Sequence, residues 1–548
     1  MKKLRVWLMT SWRWLIVIIF LVTGLGLVLA FTPFHPVLDE RPLLALNSDV
    51  MASAGRAKDA WIKEDSDPNN AGIVNNFNEI ELPKINEQRK SQGLKEIPQL
   101  YAYWEPKNTY TKISAGYQLP DLYLTRASGV AQYSTSQASS QMRTFDANGK
   151  INKTLLSEYN YKDMQYGLPL FKSYDITVLN TKVYYDITGQ KFDTKNDPHF
   201  KYSDILNLVE QYNSKDEYKG NIGFGLDDLP NQLYLNQSTG KGAIDPFNNQ
   251  NFTFDVNKTG FRDNFDLKFN IKDADYYDKM HESGAFMGAI VKNGQKQYTS
   301  TEFKNGKMLM TSSSSAGLWA FSVDPFYLDK KTNRWVANKA YPKDYKTGDM
   351  SINKKSPNYI KWKSDHPNDP DSKYDIMGDP KSIKPNGEYN ESLTVVYNPT
   401  KNGGDRFYSQ GLGLAGFKSV GKNADLKEET VKEFTKYLLD EKITYKEGTN
   451  LNKAANAANY IPATEFGYKQ WESKVYGINK ELKNKDPLTN SAYQVNNPAD
   501  SFVREALGTL WINNYLINRS SFNEVFTYDN FKKYTNFGDL FNRSKIVQ

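Results

Sequence analysis

Short strand-like and helix-like segments alternate through this 548-residue chain, and this alternation constrains its fold more than any other feature. Apolar residues at 42–46, 99–104 and 122–124 predict three strands, and helical spacing of apolar positions predicts a helix within 72–95. Strands that alternate with helices favour a parallel sheet covered by helices on both faces. We therefore predict an α/β fold.

The N-terminus carries a basic start followed by a long apolar run. Lys2, Lys3, Arg5 and Arg13 precede 18 uncharged residues, 14–31, which as a helix would span about 27 Å. This pattern is typical of an export signal or of a membrane anchor, and both alternatives stay open, with cleavage after Ala30 in the first case. Residues 32–40 would form a tether, and everything after residue 31 is expected on the extracellular side.

Composition excludes several classes of protein. Seventy Lys and Arg residues against 63 Asp and Glu residues give a net charge of +7, which is too balanced for a dedicated nucleic-acid binder. The chain has no Cys, so it has no disulfides, thiolate metal sites or Cys nucleophiles. Its 4 His residues are too far apart to form a ligand motif. We predict no cofactor and no metal.

No motif of covalent catalysis is present. The sequence GLGLAG at 411–416 matches the dinucleotide pattern GxGxxG, but no helix-forming segment follows directly. We interpret it as a buried strand in which glycine permits close backbone packing. Asp227 and Asp228 are a poor acid/base couple, because neighbours on a strand point to opposite faces. The Asp-rich segment 365–379 does not fit the spacing of an EF-hand loop and predicts a solvated surface loop.

Five motifs in a fixed order resemble the extracellular solute-binding proteins of ABC importers, specifically family 1, which includes receptors for maltose, other sugars and glycerol phosphate. They are LPDLY at 119–123, YGLP at 166–169 followed by VLNTK at 178–182, FKNGKMLM at 303–310 followed by Trp319, GLGLAGFK at 411–418 before an amphipathic helix at 426–439, and YIPA at 460–463. The resemblance spans residues 99–466. It does not explain the tail from 470 or the polar segment 325–395. The chain also lacks the Cys that carries a lipid anchor in many such proteins.

The resemblance implies two α/β lobes joined by hinge strands, with a ligand cleft between them. Lobe 1 would comprise residues 41–172 and 411–468, and lobe 2 would comprise 177–405 and 470–548, with 325–395 as a surface insertion. The first hinge strand would be 170–179, and the second would approach 411–417. Closure about such hinges traps a ligand between the lobes.

The resemblance also implies positions for ligand contacts. Thr125, Arg126 and Ser128 follow the third strand, and Ser173 lies on the hinge strand beside Tyr174 and Asp175. Asp228 falls near a contact carboxylate and Trp319 at a stacking tryptophan. Each has a structural alternative: Trp319 lies in an apolar context that suits a core residue, and Arg126 suits a surface ion pair. If Arg126 faces the cleft, its forked donors favour a phosphate or carboxylate on the ligand.

Trp104 is a candidate on different grounds, because it stands at the end of a strand; packing in the core is its alternative. The resulting hypothesis is a monomeric binding protein that delivers a carbohydrate, either an oligosaccharide or a sugar or glycerol phosphate, to ABC permease subunits. Peptide is an alternative ligand. A surface polysaccharide hydrolase or lyase and an adhesin are the alternative functions.

Overall fold

The computed structural model describes most of the chain after residue 39. The described ranges are 40–47, 54–105, 118–134, 138–147, 149–161, 163–232, 274–292, 295–303, 306–320, 326–329, 334–337, 357–370, 393–445, 448–474, 478–492 and 500–527, with residues 530 and 533. The predicted signal or anchor at 1–31 lies outside these ranges, as does nearly all of the predicted tether. Among the described helices, none is long and apolar enough to cross a membrane.

Nineteen strands are described, and most of them are short. They are β1 (Leu43–Asn47), β2 (Tyr101–Glu105), β3 (Leu122–Thr125), β4 (Asn160–Tyr161), β5 (Met164–Gln165), β6 (Gly167–Asn180), β7 (Phe224–Leu226), β8 (Phe286–Gly288), β9 (Ile290–Lys292), β10 (Gln295–Gln297), β11 (Met310–Ser314), β12 (Phe326–Asp329), β13 (Arg334–Ala337), β14 (Leu393–Val396), β15 (Phe407–Ala415), β16 (Thr444–Tyr445), β17 (Gly448–Thr449), β18 (Ile461–Pro462) and β19 (Ser491–Ala492).

Helices lie between these strands along the chain. They are α1 (Ala54–Ile62), α2 (Ile73–Asn76), α3 (Leu82–Ser91), α4 (Ala127–Ser134), α5 (Lys153–Ser157), α6 (Thr181–Thr188), α7 (Tyr202–Ser214), α8 (Ala274–Glu282), α9 (Thr299–Phe303), α10 (Pro357–Asp365), α11 (Ala424–Leu438), α12 (Asn450–Ala458), α13 (Glu465–Lys474), α14 (Ile478–Asn484), α15 (Asp500–Thr509) and α16 (Phe522–Val525). Two π-helical stretches, Phe77–Glu81 and Leu510–Ile517, and two 3₁₀ turns, Ser139–Gln141 and Ser315–Ala320, complete the set.

One large sheet dominates the described part of the chain, with the order β2-β1-β3-β15-β6-β11-β7-β8. Strands β1, β2 and β3 are parallel to one another, as are β11, β7 and β8. The two sets are joined by β15 and β6, which are antiparallel to each other and to the strands beside them. The predicted α/β fold with a parallel sheet is therefore confirmed, with antiparallel strands at its centre.

Strand β6 is shared between the two sets. Its residues 167–175 pair with β15, and its residues 175–179 pair with β11. The short strand β18 pairs with residues 171–172 of β6, on the edge opposite to β15. The short strand β14 pairs with residues 177–180 of β6, on the edge opposite to β11. All 14 residues of β6 are buried, which explains why both faces of this strand carry many apolar residues. The predicted hinge strand at 170–179 lies within β6.

Glycines allow β15 to lie against its neighbours. A Cβ atom at Gly411 would be 2.0 Å from the carbonyl oxygen of Phe171, and one at Gly413 would be 2.3 Å from the ring of Tyr159. Gly416, just after β15, has the carbonyl oxygen of Asp121 at the same 2.0 Å. The GxGxxG pattern therefore serves strand packing, as the sequence predicted.

The two sets of parallel strands, which lie on either side of β15 and β6, have separate apolar cores. We call the set with β1–β3 the first side and the set with β7 and β8 the second side. On the side of β1–β3, Trp61, Phe77 and Phe434 pack with Leu46 and Leu124. On the side of β7 and β8, the C-terminal helices form an aromatic core in which Trp511 and Tyr515 stack, as do Tyr277 and Phe522. The C-terminal tail, which the resemblance did not explain, is thus part of the second side.

Two predicted helices are confirmed with altered details. The helix predicted within 72–95 consists of α2, a π-helical turn and α3, and the helix predicted at 426–439 is α11. Within the predicted insertion 325–395, the described residues include the hairpin β12–β13, helix α10 and the start of β14. The Asp-rich segment 365–379 lies outside the described residues after 370.

Replacing Gly411 tests the close packing of β15 on β6. We expect Gly411→Ala to lower the free energy of unfolding by about 3 kcal/mol, because the added methyl group meets a backbone oxygen that cannot move aside. Gly508, in helix α15, has no atom within 4 Å of an added Cβ. Gly508→Ala is the control and should be neutral or stabilising by up to about 1 kcal/mol. Urea unfolding measures the stability of both variants. If Gly411→Ala were as stable as Gly508→Ala, the close packing of β15 on β6 would not be required.

Candidate functional site

The carboxyl ends of the two sets of strands face one another at the centre of the sheet. Because β3 and β11 run in opposite directions, β3 ends at Thr125 beside Gly413, and β11 ends at Ser314 near Tyr408. Gly413 and Tyr408 are five residues apart on β15, or about 17 Å. In open α/β sheets ligands bind at the carboxyl ends of strands. We call this region the junction: the ends of β3, β7 and β11, with the central residues of β6 and β15.

Asp175 lies where the two pairings of β6 meet. It is opposite Tyr408 of β15 on one side and Ser314 of β11 on the other. Its carboxyl group is buried and accepts hydrogen bonds from the side-chain amides of Asn231 at 2.9 Å and Gln410 at 3.2 Å. The junction thus has a buried carboxyl group at its centre, held by two amides.

The pKa of Asp175 is raised from its ordinary value of 3.8 to about 8, because burial disfavours the charged form and because Asp228 lies nearby. Arg504 and the hydrogen bond from Asn231 oppose this rise. Asp175 is therefore mostly protonated at neutral pH. The buried side-chain oxygen of Asn231 has no hydrogen-bond partner. A half-turn of that amide would place this oxygen to accept the Asp175 proton.

Asp228 follows β7 and is the most exposed carboxylate of the junction. Its side chain is 32% exposed, and its two oxygens accept hydrogen bonds from Arg504 Nη2 and from the backbone N–H of Asn231, both at 3.2 Å. The guanidinium of Arg504 is 5.7 Å from the ring centre of Tyr408 and donates to its hydroxyl at 3.4 Å. Asp228 is therefore a fixed acceptor with access to solvent, supported from behind by Arg504 and Tyr408.

Asp227 has a different environment from its neighbour Asp228. It is buried and accepts hydrogen bonds from the backbone N–H and the hydroxyl of Thr299, at 2.8 and 2.9 Å, and from the hydroxyl of Ser313. Its acceptor capacity is used within the protein, so Asp227 is structural. Across the described residues, no group of three or more carboxylate or His side chains is arranged to hold a metal ion.

A buried ion pair lies on β6 close to the junction. Lys172 Nζ is 2.8 and 2.5 Å from the two carboxylate oxygens of Glu158, and both side chains are only 1% exposed. Ser409 of β15 donates a further hydrogen bond to Glu158 at 3.1 Å. Burial raises the pKa of Glu158 and lowers that of Lys172, while the attraction between the two opposes both shifts. The pair therefore ties the segment before β6 to both crossing strands.

We call the end of β3 and the start of α4 the first rim of the junction, and the ends of β7 and β11 the second rim. The predicted residues Thr125, Arg126 and Ser128 lie on the first rim. Thr125 and Ser128 are buried, and the backbone oxygen of Thr125 accepts a hydrogen bond from Tyr159 at 3.2 Å. Arg126 is half-buried and interacts electrostatically with the hydroxyls of Tyr159 and Tyr460. The structure brings these three residues to the junction, and their contact with a ligand remains a prediction.

The other predicted residues are more scattered. Ser173 is buried on β6, paired with Gln410. Trp319 is part of the 3₁₀ turn that follows β11, and its side chain lies outside the described part. Trp104, near the end of β2, packs partly buried against the core of the first side, in line with its alternative as a core residue. A ligand contact of Trp104 remains a prediction.

Four residues of the junction were not predicted from the sequence: Asn231, Tyr408, Gln410 and Arg504. Asn231 is three residues beyond Asp228, and a helical turn there would have placed them together. Tyr408 and Gln410 precede the GxGxxG pattern on the same strand. Arg504 is 276 residues from Asp228, and no local pattern connects the two.

Comparisons with known proteins identify the fold. No family model matches the sequence, and no curated protein matches it. The structure is similar to the GacH receptor of Streptomyces glaucescens GLA.O, solved unliganded and in complex with acarbose and an acarbose homologue; the match covers 90% of this chain and 97% of that chain, with a TM-score of 0.50 and 11% identity. It is also similar to the cyclic alpha-maltosyl-1,6-maltose binding protein of Arthrobacter globiformis, with 90% and 98% coverage, a TM-score of 0.45 and 12% identity. The first match shows a common mixed α/β fold built on a large central sheet.

The raised pKa of Asp175 predicts a stability that falls with pH. Between its ordinary pKa of 3.8 and about 8, the native state holds a proton that the unfolded chain releases. Unfolding then releases one proton, so the free energy of unfolding should decrease by about 1.4 kcal/mol per pH unit from this group and level off above pH 8. Asp175→Asn should lack this decline. Urea unfolding of both proteins from about pH 5 to about pH 9 measures it, and parallel curves would refute the assignment.

Breaking the buried ion pair should be costly. We expect Lys172→Met to lower the free energy of unfolding by about 3–5 kcal/mol, because it leaves the Glu158 carboxylate buried without its counter-charge. The double variant Lys172→Met/Glu158→Gln should recover most of this loss, since it removes both charges. A double-mutant cycle by urea unfolding measures the coupling. Additive losses would show that the two side chains do not act as a pair.

Proposed function

We propose that this protein is an extracytoplasmic solute-binding protein of an ABC importer, and that its ligand is a carbohydrate held at the junction. The observation that carries this proposal is the convergence of two opposed sets of strand ends on two crossing strands. That arrangement places a carboxylate, a neutral carboxyl, two amides and an aromatic ring in one region. The structural likeness to the GacH receptor, which was solved with acarbose, supports the proposal.

The chemistry of the junction suits a sugar. A sugar ring has a rim of hydroxyl groups, which both donate and accept hydrogen bonds, and two C–H faces. Asp228 offers a fixed acceptor, while the amides of Asn231 and Gln410 orient the carboxyl group behind it. The resemblance implies a stacking position for Trp319, where its ring would cover a C–H face of the sugar. Thr125, Arg126 and Ser128 would complete the opposite rim.

Ligand capture would use the crossing strands as a hinge. We assign lobe 1 to residues 41–172 and 411–468, and lobe 2 to residues 177–405 and 470–548. In the described sheet β6 and β15 connect the two sets of strands, so a small change in their twist would move the rims relative to each other. The bound sugar would then be enclosed by both rims and passed unchanged to the permease.

The remaining parts of the proposal concern location and assembly. The basic start and the apolar run 14–31 would direct export, and the run would either be cleaved or retain the protein at the outer face of the membrane. We propose a monomer that contacts the permease subunits through its two lobes. The protein would not be an enzyme.

A hydrolase is the second candidate, and one observation favours it. Asp175 is mostly protonated at neutral pH, whereas Asp228 pairs with Arg504 as a carboxylate, and glycosidases use one carboxyl group of each kind. We prefer the binding protein because Asp175 is buried and held by two amides, which keeps its proton from the leaving group of a sugar.

Thermal unfolding with a panel of compounds tests the proposal. Neutral oligosaccharides, sugar phosphates, glycerol 3-phosphate and peptides are each added to the purified protein. A ligand at 100 times its dissociation constant should stabilise the protein by about 2.7 kcal/mol, a readily detected shift. We expect a shift from a carbohydrate, its loss in Asp228→Ala, and recovery of the sugar unchanged.

Asp216→Ala is the matched control, because Asp216 is an exposed carboxylate in the turn between α7 and β7. It should retain the shift in full. Consumption of the sugar would establish the hydrolase, and a shift from peptides alone would exclude a carbohydrate receptor. The absence of a shift from every compound would contradict the proposal and favour the adhesin.

A further inference from the structure

Helix α15, in the tail that the family resemblance leaves unexplained, reaches the junction from the second side. Its residues Ala506 and Leu507 are buried in the aromatic core with Trp511. The same helix packs against α4, which begins directly after Arg126 on the opposite rim. Helix α15 therefore spans the junction and contacts both rims.

Arg504 extends from α15 into the junction. Its side chain is 9% exposed and lies between the ring of Tyr408 and the carboxylate of Asp228. A guanidinium in this position has two effects on Asp228: it fixes the direction of the carboxylate, and it offsets the negative charge. Because the carboxylate is 32% exposed, its free side remains accessible to a ligand.

We infer that the ion pair of Asp228 with Arg504 determines the specificity of the site. The pair presents a carboxylate to sugar hydroxyls and keeps the guanidinium engaged, so the junction selects neutral sugars over phosphorylated or otherwise anionic ones. This inference rests on the proposed function. Arg504 acts through Asp228, so it is a positioning residue for the carboxylate that meets the sugar hydroxyls.

The charge balance around Asp175 supports the inference. The carboxyl groups of Asp227 and Asp228 both act electrostatically on Asp175, and the guanidinium of Arg504 acts on it in the opposite direction. A phosphate beside Asp228 would be repelled by its carboxylate, while the guanidinium that could attract the phosphate is already paired with that carboxylate. A neutral sugar hydroxyl would instead donate to the carboxylate without any charge repulsion.

Arg126 is the alternative binding point for an anion. Recognition through Arg126 predicts a preference for anionic ligands, whereas recognition through Asp228 and Arg504 predicts a preference for neutral ones. Arg126 interacts with the hydroxyls of Tyr159 and Tyr460 and lies on the other rim. If Arg126 dominated recognition, the protein would prefer a phosphorylated sugar. The comparison of neutral with anionic probes therefore decides between the two.

Isothermal titration calorimetry of the full chain measures this preference. The probes are the neutral sugar that gives the largest shift in the panel, glucose 6-phosphate and glycerol 3-phosphate. We expect the anionic probes to bind the unaltered protein at least tenfold more weakly than the neutral sugar. Asp228→Asn removes one negative charge at unchanged shape, and it should raise the ratio of anionic to neutral affinity at least tenfold.

Two further variants separate specificity from stability. Arg504→Gln should weaken binding of the neutral sugar at least tenfold, and Arg504→Lys, which keeps the charge, should restore part of it. Asp216→Asn, the matched control, should leave the affinity ratio unchanged. Thermal unfolding without ligand checks that each variant folds; should Arg504→Gln fail to fold, Asp228→Asn still tests the inference.

The outcomes distinguish this inference from the function on which it rests. Binding of a neutral sugar with an unchanged ratio in Asp228→Asn would overturn the role of the Asp228–Arg504 pair in specificity while leaving a carbohydrate receptor intact. Preference of the unaltered protein for an anionic probe would overturn the inference in favour of Arg126. Failure of every sugar to bind would remove the proposed function itself, and the inference with it.

Discussion

The division of strand β6 between two partners is the constraint on which the rest of the structure depends. One end of this buried strand pairs with β15 and the other with β11, and the pairings meet at Asp175. Because β15 also pairs with β3, a single sheet joins two sets of parallel strands that run in opposite directions. Their carboxyl ends must then face each other. The location of the junction follows from strand direction before any side chain is considered.

Polar groups at this meeting point have to be accommodated in a buried strand. A buried carboxylate is unfavourable unless it is paired or neutral, and the protein uses both solutions within a few residues of β6. Lys172 neutralises Glu158, whereas Asp175 retains its proton and is held by two amides. Asp228, which is partly exposed, remains paired with Arg504. The partly exposed carboxylate is thus the one that the proposed sugar would meet, and the buried ones maintain the sheet.

Much of the fold could be predicted from the sequence, and less of the site. The strands β1, β2 and β3 and the helix α11 follow from apolar spacing, which is a local signal, and β6 was placed through the family motifs to within a few residues. The role of Gly411 and Gly413 also followed from the apolar residues between them. Asp228 and Ser173 were reached through resemblance. Arg504 was not, because its ion pair with Asp228 spans 276 residues and depends on how the C-terminal helices pack.

The distance along the chain between β6 and β15 has a consequence for folding. Gln410 and Asp175, hydrogen-bonded neighbours on these strands, are 235 residues apart. Long-range strand pairing is slow, because the loop between the strands must be closed before any contact compensates for the lost entropy. During synthesis, the edges of β3 and β6 that pair with β15 therefore remain unpaired until residues 407–415 have been synthesised. Such edges attract other strands. The chain depends on remaining unfolded, or on being protected, for more than two thirds of its synthesis.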